Sequence, residues 1–263
     1  MRFVRLTHAG TPHFAQLIDD ARALLWTRAP WEGGDATEHV VPVTPSALLA
    51  PVTPSKIVCV GRNYRAHAKE LGNEVPTEPL LFLKPPSALT GPGANIPLPA
   101  ASARVEHEGE LAVVIARTLT DATPEEALAA VFGYACSNDV TARDLQRKDV
   151  QFTRAKGFDG FCPVGPYLET EVSPDDLRLV VRVNGEVRQD GQTRDMVFPV
   201  GTLLAYISSV MTLLPGDLVL TGTPAGVGPL LAGDRVEVSI EGLGTLENVA
   251  VSRATPHSAT SAS

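Results

Sequence analysis

Short apolar runs bounded by glycine or proline dominate the chain and predict a β-rich fold. Residues 56–60 form a largely apolar run that ends at a glycine, and residues 111–115 form a second, fully apolar run. Runs of this length between turn residues are typical of buried strands. Asn184-Gly185 separates two further apolar stretches and is the strongest hairpin signal in the chain. The pattern predicts a mixed, β-rich α+β fold with few helices.

The same pattern predicts the remaining elements and divides the chain into three regions. Further strands are expected at residues 2–6, 80–83, 180–183, 186–187, 217–220 and 234–240, and helices at 64–71, 124–131 and 200–211. Closely spaced prolines around residues 42–54 resist both helix and central strand and indicate a boundary there. We expect a small, loosely packed N-terminal region (1–52), a main domain (53–252) and a polar tail (253–263) that favours disorder.

Composition and charge exclude several classes of protein. The chain has 263 residues, with 22 Lys+Arg against 30 Asp+Glu, and such an acidic balance disfavours binding to nucleic acid. No apolar run approaches the roughly 18 residues of a membrane span, and the N-terminus lacks the apolar stretch of a signal peptide. Three widely spaced cysteines, Cys59, Cys136 and Cys162, are typical of reduced core residues in a cytoplasmic protein.

Acidic residues at two positions predict a metal site. Glu108 and Glu110 lie directly before the apolar run at residues 111–115. Residues two apart on a strand point to the same face, so the two carboxylates would project together. Two neighbouring carboxylates need a compensating cation, and Mg²⁺ and Ca²⁺ prefer oxygen ligands. Asp139 follows another small, apolar run and would complete a cage of three carboxylates. The alternatives are a solvated strand end and an aspartate that caps a helix before Thr141.

Two other segments carry candidate catalytic groups. His67 and Glu70 are three residues apart on a predicted helix, so the carboxylate would orient the imidazole and raise its basicity. The alternative is an ordinary surface pair. Lys156 lies in a loop of apolar and glycine residues, where a buried cation would polarise a carbonyl group, unless the lysine is simply solvated.

A glycine-rich segment at residues 221–228 follows a predicted strand. Gly222 lets the backbone approach a ligand closely, and Thr223 adds a hydroxyl that could hold a carboxylate. The spacing matches neither a Walker loop nor a dinucleotide-binding turn. The alternative is a tight turn without a ligand.

Six motifs occur in one order along the chain: VGRNYRAHAKE, PLLFLKPPSAL, EGELAVVIA, NDVTARDLQ, RAKGFDGFCPVGP and LTGTPAGVG. Together they closely resemble the fumarylacetoacetate hydrolase family over residues 52–251. The first 50 or so residues resemble the variable extension of many bacterial members. Gly160 departs from the family pattern, in which threonine is frequent at that place.

The resemblance implies a fold, a cofactor and a set of site residues. The fold would be a twisted mixed β-roll with flanking helices, assembled as a homodimer. The metal would be Mg²⁺, or else Mn²⁺ or Ca²⁺. The implied metal ligands are Glu108, Glu110 and Asp139, the catalytic residues are His67, Glu70 and Lys156, and the substrate-binding residues are Arg62, Gln146, Gly222 and Thr223.

The resemblance also implies the chemistry. The substrate would be a small 2-oxo or 2-hydroxydienoic acid that reacts through a metal-stabilised enolate, with its distal end near the N-terminal region. We expect isomerase or decarboxylase activity of the 2-hydroxyhepta-2,4-diene-1,7-dioate type in aromatic degradation. Hydrolysis of an acylpyruvate such as fumarylpyruvate is the alternative. Oxaloacetate decarboxylation or tautomerisation comes next, and a non-catalytic metal- or ligand-binding scaffold is the option outside enzymology.

Overall fold

The computed structural model describes residues 1–253, and strands dominate it. The strands are β1 (Arg2–His8), β2 (Thr11–Leu17), β3 (Arg22–Trp26), β4 (Ala36–Pro42), β5 (Leu48–Leu49), β6 (Ile57–Gly61), β7 (Leu80–Lys84), β8 (Leu89–Thr90), β9 (Asn95–Leu98), β10 (Val105–His107), β11 (Gly109–Ile115), β12 (Val131–Asn138), β13 (Thr141–Ala142), β14 (Cys162–Glu169), β15 (Arg178–Val183), β16 (Glu186–Gln192), β17 (Leu218–Leu220), β18 (Gly228–Pro229), β19 (Arg235–Ile240) and β20 (Gly244–Ser252). The α-helices are α1 (Arg65–Glu70), α2 (Pro124–Leu128), α3 (Arg143–Lys148), α4 (Thr153–Lys156) and α5 (Val200–Val210).

The largest sheet is mixed and runs in the order β4-β3-β2-β1-β14-β12-β11-β17-β6-β7. Its central strand, β11, pairs with β12 on one side and β17 on the other, both antiparallel, whereas β17 and β6 are parallel. Every residue of β11 is buried, as the continuous apolar run predicts for a strand covered on both faces. The β-rich, mixed fold expected from the sequence is confirmed.

A second sheet covers one face of the first. Its order is β16-β15-β19-β20-β9, and a short three-stranded sheet, β13-β10-β18, lies beside the end of β11. Alternate residues of β11, such as Leu111 and Val113, pack in one core with Leu179, Val181 and Val238 of the second sheet. The first residues of β11 therefore lie where the sheets meet.

The N-terminal region is better ordered than the loose packing that its sequence predicts. Strands β1–β4 form an antiparallel meander with its own apolar cluster, and β1 extends the main sheet by pairing with β14. The ring of Trp31 lies 5.0 Å from that of Phe132, and Phe3 lies 5.3 Å from Phe132. These contacts join distant parts of the chain, so the local pattern could not reveal them.

The predicted helices occur, with shifted ends. Helix α1 is one residue shorter at each end than the pattern suggests, and α2 stops at Leu128 because β12 begins at Val131. Thr123 caps α2 through a reciprocal pair of hydrogen bonds with Glu126. No helix within residues 1–253 is long and apolar enough to cross a membrane. The predicted disordered tail lies outside the described residues, apart from Arg253.

Candidate active site

Three buried carboxylates converge at the start of β11. Glu108 precedes this strand, Glu110 is its second residue, and Asp139 directly follows β12. The antiparallel register sets the ends side by side, and the Asp139 N–H donates to the Glu108 carbonyl oxygen at 2.8 Å. One oxygen from each carboxylate lies within 4.8 Å of the others. Strand register thus brings together the three residues predicted as metal ligands.

Two buried lysines neutralise part of this negative charge. Lys156 Nζ donates to Glu108 at 2.7 Å and also to Asp139, while Lys84 Nζ donates to Asp139 at 2.5 Å. Burial alone would lower the pKa of Lys156, but Asp139 and Glu108 outweigh it and raise that pKa above its ordinary value. Lys156 is therefore a buried cation, as the sequence predicts. Lys84 was not predicted, and its only signal is a lysine that ends an apolar strand.

Arg143, the first residue of α3, is a third buried cation that sequence reasoning missed. Its guanidinium donates to Glu108, to Glu106 at 2.6 Å and to the Gln146 side-chain oxygen at 2.5 Å. Burial opposes ionisation of Glu108, yet Lys156 and Arg143 hold its pKa well below the usual range. The amide oxygen of Gln146, a residue that lines the cavity, is thus engaged with Arg143.

Glu110 is the carboxylate that lacks a compensating cation. Its Oε2 accepts from the Gly222 N–H at 2.7 Å, and it forms no ion pair within the described part of the chain. Burial, followed by the charges of Asp139 and Glu108, raises the pKa of Glu110 well above its ordinary value. An all-oxygen donor set with uncompensated negative charge fits a hard divalent cation such as Mg²⁺, Mn²⁺ or Ca²⁺.

His67 and Glu70 lie on one face of α1, as their spacing predicts. His67 Nδ1 and Glu70 Oε2 are 3.4 Å apart, and Glu70 also accepts the Gly226 N–H at 3.0 Å. The expected gain in basicity is outweighed, because burial lowers the pKa of His67 below its ordinary value. The imidazole is consequently neutral near pH 7 and can accept a proton.

The glycine-rich loop at residues 221–228 contacts both the carboxylate cluster and the His67–Glu70 pair, through Glu110 and Glu70. Gly222 has a φ of +98°, and a Cβ there would lie 2.7 Å from Asn63 Cβ, so only glycine fits. Its N–H is directed at Glu110, whereas the sequence suggested a contact with substrate. The loop therefore shapes the predicted metal centre at one end and meets Glu70 at the other.

A cavity of about 250 Å³ connects these groups. Eight of the ten predicted site residues line it, namely Arg62, His67, Glu108, Glu110, Asp139, Gln146, Lys156 and Thr223. Phe82 and Phe152 supply an apolar wall that the sequence did not reveal, and Lys156 Nζ lies 4.8 Å from the Phe82 ring centroid. All lining residues fall between Val60 and Thr223, so this cavity does not meet the expectation of a contact with the N-terminal region.

Comparison with known proteins agrees with the motifs. Residues 56–251 match the family described as fumarylacetoacetate (FAA) hydrolase C-terminal, and residues 1–51 match the family described as Rv2993c-like, N-terminal. The chain belongs to the fumarylacetoacetate hydrolase family. Members of this family include isomerases, hydrolases and tautomerases, so the chain shares a scaffold that supports several reactions.

Three similar proteins show the extent of the likeness. Protein Rv2993c of Mycobacterium tuberculosis is 50% identical over 218 residues, which cover 82% of each chain. The mitochondrial oxaloacetate tautomerase FAHD1 of Arabidopsis thaliana is 47% identical over 73% of this chain and 89% of its own. The crystal structure of 2-hydroxyhepta-2,4-diene-1,7-dioate isomerase from Mycobacterium marinum has a TM-score of 0.89 and 44% identity, covering 97% of this chain and all of that one.

Proposed function

We propose that this family member is a divalent-metal-dependent enzyme that isomerises a 2-oxo or 2-hydroxydienoic dicarboxylic acid by moving a proton next to the 2-oxo group. The observation that carries the proposal is the cavity itself. It places a neutral imidazole, a buried ammonium group and a three-carboxylate cluster around one small space. The likeness to a 2-hydroxyhepta-2,4-diene-1,7-dioate isomerase supports this choice of reaction.

Glu108, Glu110 and Asp139 would hold the metal. When bound, the metal would polarise the carboxylate and 2-oxo oxygens of the acid and so stabilise an enolate. Lys156 places its ammonium group on the same cavity wall, where it stabilises negative charge that develops on the substrate oxygen. Because Glu108 and Asp139 fix this group by hydrogen bonds, it needs little reorganisation during the reaction.

His67 is the group that moves the proton. Glu70 faces Nδ1, so Nδ1 carries the imidazole hydrogen and Nε2 is free to accept a proton from the substrate carbon. The same nitrogen would return the proton to another carbon in an isomerisation. In a hydrolase it would instead deprotonate water. Hydrolysis of an acylpyruvate is therefore a distinct outcome of the same arrangement.

Two arginines favour a substrate with a second carboxylate. Arg62 and Arg147 both line the cavity, and neither forms an ion pair within residues 1–253. Arg62 has a φ of +58°, a backbone conformation that is uncommon for residues other than glycine and often marks functional sites. The distal carboxylate of a dicarboxylic acid would supply the missing partner for these cations.

The deciding experiment is a turnover screen with the purified protein, run with MgCl₂ and with EDTA. Its substrates are 2-hydroxyhepta-2,4-diene-1,7-dioate, oxaloacetate, fumarylpyruvate and acetylpyruvate. We expect metal-dependent isomerisation of the dienoate, with Lys156→Met inactive and the exposed Lys148→Met unchanged. Cleavage of fumarylpyruvate would replace the proposal with the hydrolase. Tight binding of Mg²⁺ with oxalate, without turnover of any substrate, would favour the non-catalytic scaffold.

Oxaloacetate tautomerisation is a second candidate, favoured by one observation. Curated relatives with this activity are 43–47% identical to the chain. Tautomerisation also moves a proton next to a 2-oxo group, so it needs the same residues. The screen distinguishes the two candidates by the chain length of the substrate, because oxaloacetate is a shorter dicarboxylate than the heptadienedioate.

We further propose that the enzyme is a homodimer, as the family resemblance implies. Static light scattering at micromolar concentration tests this assembly. A mass near twice 27.8 kDa is expected, and a monomer mass would contradict it.

A further inference from the structure

One buried glutamine outside the cavity has no role in the mechanism above. Gln189 is fully buried on β16, a strand whose neighbouring residues Arg188 and Asp190 are exposed. The register between β15 and β16 shifts next to the pair Val181–Gln189, because Arg188 is an extra residue on β16. A β-bulge of this kind redirects side chains, and here it accompanies a glutamine that points into the core.

All four hydrogen-bonding positions of the Gln189 amide are used. Its Oε1 accepts the Gly109 N–H at 3.0 Å and lies 3.0 Å from His107 Nδ1, while Nε2 donates to Thr223 Oγ1 at 2.7 Å and to the Pro224 carbonyl at 2.8 Å. The partners fix the orientation of the Gln189 amide, since the Gly109 N–H can only donate a hydrogen bond and the Pro224 carbonyl can only accept one. His107 must therefore carry its proton on Nδ1. A buried amide with complete pairing is rigidly held.

The first partner, Gly109, lies between two of the predicted metal ligands. It separates Glu108 from Glu110, so its peptide groups set the relative position of both carboxylates. A Cβ at Gly109 would lie 2.3 Å from Val181 Cγ2, which shows how closely this backbone packs against β15. The Gly109 carbonyl oxygen accepts from Thr223 Oγ1 at 2.8 Å. Gln189 thus holds Gly109 directly and again through Thr223.

The second partner belongs to the glycine-rich loop at residues 221–228. This loop donates the Gly222 N–H to Glu110 and the Gly226 N–H to Glu70. It also packs tightly on β16, because a Cβ at Gly226 would lie 2.0 Å from the Arg188 carbonyl oxygen. The amide of Gln189 anchors the middle of the loop at Thr223 and Pro224.

We propose that Gln189 is a positioning residue that fixes the metal carboxylates and the glycine-rich loop relative to each other. It also sets the direction of the Thr223 hydroxyl. Because Thr223 Oγ1 accepts from Gln189, its single hydrogen goes to the Gly109 carbonyl and is not available to donate to a substrate. The inference rests on the proposed metal site, so its test measures metal binding without turnover.

The test is the Mg²⁺ dependence of the melting temperature, measured with MgCl₂ alone. Gln189→Met keeps the length of the side chain but leaves the Gly109 N–H and the Pro224 carbonyl unpaired. Loss of such an outer hydrogen bond typically weakens metal binding or activity about 10- to 100-fold. We expect the Mg²⁺ concentration for half of the thermal shift to rise by that factor.

Gln192→Met is the matched control, because it changes the same residue type on the same strand, where the described residues give the side chain no hydrogen bond. Its Mg²⁺ midpoint should equal that of the wild type. A purely structural role for Gln189 would lower the melting temperature without Mg²⁺ and leave the midpoint unchanged, which overturns the inference. If the wild type shows no Mg²⁺-dependent shift, the metal site itself is wrong.

Thr223→Val keeps the test decisive even if Gln189→Met does not fold. It removes the hydroxyl that relays the contact from Gln189 to Gly109, so it should raise the Mg²⁺ midpoint in the same direction. An unchanged midpoint in Thr223→Val overturns the relay. Where both variants fold, the double variant should lose less Mg²⁺ affinity than the product of the two single losses, because the two residues share a hydrogen bond and both hold Gly109. Multiplied losses would contradict this.

Discussion

At the scale of single residues, the charges of the site are unequally compensated. Glu108 and Asp139 each accept hydrogen bonds from buried cations, whereas the Glu110 side chain accepts, within residues 1–253, only from a backbone N–H. A buried carboxylate without a cation costs free energy until a metal arrives. We therefore expect Glu110 to be the carboxyl group that the proposed metal stabilises most.

Glu110→Gln should separate metal binding from stability. Replacement of a buried carboxyl group that has no cationic partner should leave the melting temperature without Mg²⁺ equal to or above that of the wild type, since the Gln oxygen can still accept the Gly222 N–H. The Mg²⁺-dependent thermal shift should weaken by more than about tenfold. Glu186→Gln, at an exposed position on β16, is the control. A Mg²⁺ response like that of the wild type would show that Glu110 is not a ligand.

The burial of His67 should set the acidic limb of activity. Burial lowers its pKa below the ordinary 6.5, so the imidazole stays neutral and able to accept a proton to a lower pH than free histidine. We expect kcat/KM to fall only below about pH 6.5. His67→Gln should lower kcat about a hundredfold to ten-thousandfold. A rate within twofold of the wild type would reduce His67 to a structural residue.

The same shift predicts the pH dependence of stability. Just below pH 6.5 the unfolded chain binds a proton at His67 that the folded chain does not, so the free energy of unfolding falls as the pH is lowered through this window. Urea denaturation at about pH 7.5 and about pH 5.5 measures the loss. His67→Gln should lose less stability than the wild type on acidification. An equal loss in both proteins would contradict the shift.

At the scale of elements, α3 places two arginines on the wall of the cavity. Arg143 and Arg147 are four residues apart, so they share a helix face about 6 Å apart along the axis. Arg143 donates to Glu108, and Arg147 lines the same cavity. We therefore expect α3 to set the distance between the proposed metal site and a distal carboxylate of the substrate.

Arg147→Gln should discriminate between substrates. Loss of a hydrogen bond between charged groups should lower kcat/KM for the heptadienedioate about tenfold to a hundredfold. Acetylpyruvate, which lacks the second carboxylate, should be unaffected. Lys148→Gln, at the next position of the same helix, should leave both rates unchanged. Equal losses on both substrates would assign Arg147 a role in folding or in the chemistry.

Elements differ in how well the sequence predicts them. The strand before Gly61 and the strand at residues 111–115 were found because their apolar runs are continuous. The pattern predicts a helix over residues 124–131, which is too long, because β12 begins at Val131 and pairs there with β11. Propensity fixes the type of an element, whereas its ends depend on the neighbours that complete its hydrogen bonds.

At the scale of the whole molecule, the N-terminal meander and the body share one sheet. The pairing of β1 with β14 and the contact of Phe3 with Phe132 join the two parts, so we expect them to unfold as a single cooperative unit. Both tryptophans, Trp26 and Trp31, lie in the N-terminal region, and Trp31 packs against Phe132, so tryptophan fluorescence reports on that region and on its contact with the body. Circular dichroism reports on the whole chain.

Unfolding by both probes should therefore coincide. Phe3 is 3% exposed, and Phe3→Ala should lower the free energy of unfolding by about 3 to 5 kcal/mol. The two transitions should shift together under urea. Val40→Ala, on an exposed position of β4, should change stability by about 0.5 kcal/mol or less. An early fluorescence transition would mean that the N-terminal region unfolds separately.

The sequence by itself determined what depends on local periodicity. Strand alternation placed Glu108 and Glu110 together, and helical spacing placed His67 beside Glu70. Motif order then identified the family. Each of these two pairs involves residues within three positions of each other, and the motifs are read from the sequence alone, so no knowledge of the packing is needed to predict them.

Only the tertiary structure decided which distant residues complete the site. Asp139 meets Glu108 through strand register, and Lys84 and Gln189 arrive from other strands, 55 residues before Asp139 and 80 after Gly109. A periodic pattern fixes the face of an element but not the partner that this face will meet. Pairing across the sheets makes that choice, because it is set by the burial of the whole core at once.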